Sequence, residues 1–260
     1  DLTKRIIILE RKKRLLFMSI IKKLLKNILN NYGYEIHPHS GDITNQDMEI
    51  INYSKKYSVL DTSALKAIID IVKYLEHNKI EGAFVECGVW RGGSIITMIK
   101  TLQLLKMDDR EIYLYDTFEG MANPSEFDIK PGGVTGNDVV KIEQQTSDEK
   151  VSLESVKKNV LETGYDKSKI HFIKGRVEDT IKNNTLENIA FLRLDTDFYL
   201  STKIELENFY PKLSKNGILT IDDYGAWLGA KKATDEYFIS KNIPAFLSRI
   251  HPLGGRIHIK

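Results

Sequence analysis

Four short apolar runs in this chain each carry a carboxylate at or next to their C-terminal end. Residues 82–88 carry Glu86, 111–116 end in Asp116, 189–195 in Asp195 and 217–222 in Asp222. Runs of this length, rich in Val, Ile, Leu and Phe, mark strands buried on both faces. Residues 169–174 read as a further strand. Helical periods lie between them at 94–105, 151–163, 202–210 and 231–241, with Pro211 closing the third. Ahead of the first strand, 61–77 place Leu65, Ile68, Ile69, Val72 and Leu75 on one face, with Asp61 or Thr62 as the cap. This alternation predicts an α/β fold, a doubly wound, mostly parallel sheet. Residues 245–250 and 256–259, around Leu253-Gly254-Gly255, predict a terminal hairpin that adds an antiparallel strand. Ligands of such sheets bind at the carboxyl ends of the strands. One acid there would be noise; four mark a pocket.

The 260 residues suffice for one substantial core, and the pattern divides them into a helical N-terminal extension at 1–60 and a folded domain at 61–260. A net charge of +2 excludes nucleic-acid binding by bulk electrostatics. Cys87 is the single cysteine, which removes disulfides and cysteine-based zinc sites within one chain and fits a reducing, cytoplasmic location. No apolar run is long enough to span a bilayer. The N-terminal segment is strongly basic and has no cleavage site, so no signal peptide is expected, and Met18 is a candidate start. Within it, Ile20, Ile21, Leu24, Leu25, Ile28 and Leu29 follow helical spacing between lysines. This amphipathic helix suits packing on the core or on a second subunit of a homo-oligomer, and also peripheral contact with an anionic membrane; an extended arm is a third reading.

Three motifs carry chemistry. The first joins the first strand to its helix through Glu86-Cys87-Gly88-Val89-Trp90-Arg91-Gly92-Gly93-Ser94. It is neither G-x-G-x-x-G nor a phosphate loop. An acid beside it suits a ligand's ammonium group better than a pyrophosphate, favouring a nucleoside that carries an amino acid. Glu86, Gly88, Arg91, Gly92 and Ser94 are its candidate contacts, against a plain tight turn. The second is Asp116-Thr117-Phe118-Glu119-Gly120, whose acid suits a ribose diol. Arg176, after the next strand, falls where an adenine would be enclosed. The third pairs Asp195-Thr196-Asp197 with Asp222-Asp223-Tyr224-Gly225. Clustered carboxylates repel unless protonated or neutralised, and a set of hard oxygens suits Mg²⁺. Separate ion pairs with Arg193 and Lys203 are the structural alternative. Residues 122–150 read as a polar insertion without periodicity, either a lid over the substrate or a tolerated surface loop.

Taken together, GVWRGG, the acid-TFEG stretch, LRLDTDFYLST and IDDYG resemble the macrocin O-methyltransferase family over about residues 60–240. Those enzymes methylate sugar hydroxyls in antibiotic biosynthesis. The resemblance implies a class I methyltransferase fold of Rossmann-like type, S-adenosylmethionine as cofactor, and Mg²⁺ held by Asp195, Asp222 and Asp223. It implies Asp197 as general base, although the family often has glycine where Thr196 stands. Asp195 would also border the cofactor. The acceptor would then be a sugar hydroxyl on a small molecule, nucleotide or glycan precursor.

Three other readings compete. A catechol-type acceptor fits the same metal geometry. A nicotinamide-dependent oxidoreductase lacks its glycine fingerprint here. A degenerate binding protein would not keep a pocket full of acids that cost free energy when uncompensated. His251 is read as packing or a backup base, His258 as packing, and His37 and His39 as linker residues. Trp90 and Trp227 border the pocket or fill the core.

Overall fold

A computed structural model describes residues 17, 18, 21, 41–146 and 151–260. The chain divides into two units, Asp1–Thr44 and Asn45–Lys260. Apart from Ile21, which is helical like Phe17 and Met18, the basic stretch at 20–29 lies outside the described residues, as do His37 and His39. The compact unit starts ahead of the boundary at 61 that the sequence suggests. Helix α1 (Asn45–Ser54) belongs to it, burying Ile50 and Ile51 and pairing the enclosed Asp47 with Lys73 at 2.6 Å. Its apolar face is too narrow to register as a period.

Helix α2 (Thr62–His77) is capped by Asp61, whose carboxylate accepts the Ala64 N–H at 2.8 Å, and all five expected apolar residues are buried. Then come β1 (Ala83–Cys87), α3 (Gly93–Leu104), β2 (Ile112–Asp116), α4 (Gly136–Thr146), α5 (Leu153–Leu161) and β3 (Ile170–Lys174). The second half runs α6 (Val177–Thr180), β4 (Ile189–Leu194), α7 (Tyr199–Phe209), β5 (Leu213–Ile221), α8 (Leu228–Ser240), β6 (Ser248–Arg249) and β7 (Arg256–Ile259). Among the described residues the seven strands form one sheet in the order β3-β2-β1-β4-β5-β7-β6. The first five are parallel; β7 lies antiparallel to β5 and to β6, as the hairpin reading expects. No described helix is long and apolar enough to cross a membrane.

The central strands are apolar on both faces because both are covered. Val85, Cys87, Leu192, Leu194, Leu219 and Ile221 pack with Leu206 and Phe209 of α7 and with Tyr237 and Phe238 of α8. The opposite face carries Phe84 and Phe191 in an edge-to-face pair, and then Glu86 and Arg193. The insertion at 122–150 differs from the sequence reading: residues 136–146 are helical, and Ile129 bridges Thr135. The overlooked signal is Thr135-x-x-Asp138, a reciprocal cap in which Thr135 Oγ1 donates to Asp138 at 2.6 Å while the Asp138 N–H reaches back to Thr135 Oγ1.

Chain order reverses between β1 and β4, so the ligand crevice opens there. The two strand tips nearly touch. The Asp195 N–H donates to the Cys87 carbonyl at 2.8 Å, and a Cβ built on Gly88, at φ +81°, would lie 1.9 Å from the Asp195 carbonyl oxygen. Gly88 is therefore demanded by its neighbouring strand as well as by its turn. Gly88→Ala is expected to lower the unfolding free energy by at least about 2 kcal/mol. Urea denaturation checks this, and an unchanged midpoint would contradict it.

Candidate active site

Alternation along the strands turns Glu86, Arg193 and Thr220 to the same face, in register with one another. Arg193 has 2% of its side chain exposed, and a buried charge needs partners. It divides its guanidinium among three acids on three strand ends. Nε donates to Glu86 Oε1 at 3.0 Å, Nη2 to Asp195 Oδ2 at 2.7 Å and Nη1 to Asp222 Oδ1 at 2.8 Å. His251, itself buried, brings Nε2 to 3.3 Å from the same Asp222 oxygen. The ion pairs considered from sequence as an alternative to a metal are thus real for Arg193, yet they engage only one oxygen of Asp195 and of Asp222. The second oxygen of each stays available.

That arrangement brings the predicted ligands together. Asp195, Asp222 and Asp223 each place an oxygen within 4.8 Å of the others, and no other group of acids, histidines or cysteines among the described residues meets this spacing. Burial pushes the Asp223 carboxyl well above the carboxylate range, and the neighbouring Asp197, Asp195 and Asp222 push it further. Burial also raises Asp195, against the pull of Arg193. Asp222 goes the other way: Arg193 and His251 outweigh its burial and hold it below the usual range. Glu86, Asp195 and Asp222 share one guanidinium, while the buried Asp223 and Asp197 beside them have no contact with it. A hard divalent cation fits both the donor set and the uncompensated charge.

Asp197 stands beside this group in a left-handed conformation, φ +68°. Its Oδ1 accepts the Trp227 indole N–H at 2.7 Å, and its own N–H donates to Asp223 Oδ2 at 2.9 Å. Burial raises its pKa to about 6, opposed by the Trp227 hydrogen bond and by Lys130.

The candidate cofactor contacts separate into two sets. Asp116 sits at the β2 tip and organises the loop facing it: Oδ2 accepts the Val89 and Trp90 N–H groups at 2.6 and 3.1 Å, and Oδ1 accepts Phe118 N–H at 2.7 Å. Thr117 closes its own turn on the Gly120 carbonyl, and Phe118 is buried near Phe172. Arg91 lies over the Trp90 ring, and Arg176 caps α6 with its guanidinium near Glu178. Asp116 thus joins the turn after β1 to its own loop through backbone hydrogen bonds. Glu86 and Ser94 form the second set. Both are buried and bonded to each other at 2.6 Å; Glu86 Oε1 also accepts from Arg193, its Oε2 has no hydrogen-bond partner among the described residues, and burial raises its pKa to about 7. Gly92 is pressed against Val160, where an added Cβ would lie 2.9 Å from a methyl group. Glu86 precedes the end of β1 by one residue and shares the sheet face of Arg193.

Sequence reasoning names Arg193 only as an ion-pair partner and Trp227 only as bordering the pocket or filling the core, and it passes over Glu205. Arg193 interrupts the apolar run FLRL, a placement that by itself signals a paired buried charge. Trp227 is the indole that orients Asp197. Glu205, fully buried on α7, accepts from Thr196 Oγ1 at 3.0 Å and supports the loop between Asp195 and Asp197. Burial, reinforced by Glu178, raises the Glu205 pKa to about 8, against 4.5 for an ordinary glutamate. Folded Glu205 therefore keeps a proton that the unfolded chain releases, and its contribution to stability, full below pH 4.5, is lost as pH rises toward 8. The melting temperature of Glu205→Gln relative to the parent is expected to rise steadily across that window. A difference independent of pH would contradict this.

Comparison with known proteins follows the same lines. The profile of the family described as Macrocin-O-methyltransferase (TylF) matches residues 18–255. Demethyldecarbamoylnovobiocin O-methyltransferase of Streptomyces niveus is 29% identical over 228 residues, covering 84% of this chain and 85% of that protein. The 8-demethyl-8-(2,3-dimethoxy-alpha-L-rhamnosyl)-tetracenomycin-C 4'-O-methyltransferase of Streptomyces olivaceus is 28% identical over 216 residues, covering 80% and 79%. The solved structure of the O-methyltransferase NovP superposes with a TM-score of 0.70 at 28% identity, covering 93% of this chain and 98% of that one.

Proposed function

The chain belongs to the macrocin O-methyltransferase family, and from that membership we propose that it methylates a sugar hydroxyl with the help of a divalent cation at Asp195, Asp222 and Asp223. It is an O-methyltransferase with S-adenosylmethionine as donor. The family match sets aside the oxidoreductase reading. A sugar acceptor is favoured because a relative over most of the chain's length is named for methylating a rhamnosyl group.

The observation that carries the cation is the meeting of three aspartate oxygens within 4.8 Å, with a buried Asp223 repelled by its neighbours. When bound, Mg²⁺ would supply Lewis acidity toward the acceptor hydroxyl and lower its pKa. The rest falls to the chain's own groups. Arg193 keeps Asp222 ionised and turns Asp195 and Asp222 so that each presents one oxygen. Asp197, with Oδ1 held by Trp227, takes the acceptor's proton on its other oxygen, and a pKa of about 6 suits a base working near neutral pH. The acceptor oxygen then attacks the methyl carbon, the carbon–sulfur bond breaks, and S-adenosylhomocysteine leaves. Asp116 and the loop from Val89 to Trp90 steady the donor's side of the crevice, so that both reactants are held in line.

The test incubates the protein with S-adenosylmethionine, Mg²⁺ and a panel of rhamnosides, nucleotide-linked deoxysugars and catechols, scoring methylated products by mass spectrometry. Methylation of a sugar, abolished by excess chelator, is the expected result; methylation of catechols alone would replace the acceptor class, and undiminished turnover with chelator would remove the cation. Asp222→Ala is expected to abolish transfer while calorimetry still detects S-adenosylhomocysteine. Asp197→Asn is expected to lose roughly 10²- to 10⁴-fold in rate; a rate within twofold of the parent would reassign the base.

A further inference from the structure

Residues 125–136 were read from sequence as part of a lid or surface loop, but their base is built into the two helices that follow the acid motifs. Asp128 is the centre of that attachment, and it is 1% exposed. Its Oδ1 accepts the Tyr199 N–H at 2.7 Å, the first N–H of α7. Its Oδ2 accepts both the N–H and the hydroxyl of Ser125, at 2.6 and 2.7 Å. The same strap continues to α8. The Leu228 N–H donates to the Ile129 carbonyl at 2.9 Å, and Lys130 lies 4.8 Å from the centre of the Trp227 ring. Gly229 lies so close that a Cβ built on it would be 1.9 Å from Asp128 Oδ1.

What hangs on Tyr199 is the short segment before it. Phe198 N–H closes onto the Thr196 carbonyl at 2.8 Å, and Asp197 between them stands at φ +68°, in the left-handed region that costs most L-residues free energy. Asp197 in turn bonds the Trp227 indole and, through its N–H, Asp223. Two anchors thus bracket the acid: α7 on one side and Trp227 on the other, both tied to the strap through Asp128, Ile129 and Lys130.

We propose that Asp128 is a positioning residue for methyl transfer, its buried carboxylate fixing the start of α7 and thereby the placement of the Asp197 carboxylate beneath the Trp227 indole. The chemical meaning of that placement rests on the reading of Asp197 as base; the placement itself does not. A carboxylate is required because three donors converge on it and an amide offers one acceptor oxygen.

The chain has two tryptophans, so its ¹H–¹⁵N spectrum carries two indole cross-peaks, assignable with Trp227→Phe. In Asp128→Asn the Trp227 cross-peak is expected to shift while that of Trp90 stays in place. Gly229→Ala, which leaves the carboxylate intact but crowds it, is expected to shift the same peak, and it serves where Asp128→Asn does not fold. A merely stabilising Asp128 would lower the melting temperature of both variants and leave both cross-peaks where they are, and that result would overturn the proposal. The spectra need neither acceptor nor cation. They therefore stand or fall separately from the rate of Asp197→Asn, which alone decides whether Asp197 is the base.

Discussion

Arg193 is a cation enclosed in the middle of a sheet, and neutralising it organises the rim of the crevice. Its three hydrogen bonds reach Glu86, Asp195 and Asp222, one acid from each of three consecutive strand ends. Because the partners sit on β1, β4 and β5, the guanidinium also ties together the strands that flank the topological switch point. Each acid is held by one oxygen in a fixed direction. Asp195, Asp222 and Asp223 each place an oxygen in a group tight enough for a hard cation. Removing one partner from such a network would leave a buried charge uncompensated, a loss of about 3–5 kcal/mol in other proteins. Position and protonation follow from the same contact, since Arg193 lowers Asp222 while burial and mutual repulsion raise Asp195 and Asp223.

The second constraint works from the opposite face. Glu205 on α7 supports Thr196 from below, and Asp128 holds the first N–H of α7 from the side of the insertion. Asp197 is therefore bracketed by two buried acids that never approach the reacting atoms. Thr196 has a use here that glycine could not supply, because its hydroxyl donates to Glu205. The insertion, in consequence, is two things: a fixed strap at its base and the helix α4, whose Val139 and Val140 pack near Phe198 and Trp227.

Much of this was readable in the sequence. The strand and helix alternation gave the doubly wound sheet, the terminal hairpin and the strand-end acids, because 2- and 3.6-residue periods are printed directly in the order of apolar residues. Asp195, Asp222 and Asp223 stand in two short motifs, the family resemblance marks them as a ligand set, and they do come together. The features that escaped depend on direction or on contacts distant in the chain. Glu86 reads from its position as a ligand contact, while its bonds to Ser94 and Arg193 depend on the fold. Arg193 could be named as an ion-pair partner, not as the hub for three acids, since its partners lie 107, 2 and 29 residues away. Asp128 pairs with Tyr199 across 71 residues, and α4 was hidden in a segment full of Gly and Pro. Its capping pair, Thr135 and Asp138, was the one local clue.

The central claim is that three aspartates form a single cation site whose mutual repulsion the ion relieves. Calorimetric titration with Mg²⁺, at a pH of about 6 and in two buffers of different ionisation enthalpy, measures it most directly. One ion should bind per chain with net release of protons, and Asp223→Asn should abolish that binding while S-adenosylhomocysteine still binds. An absence of Mg²⁺ binding in the parent protein, or binding that Asp223→Asn leaves unchanged, would contradict the account.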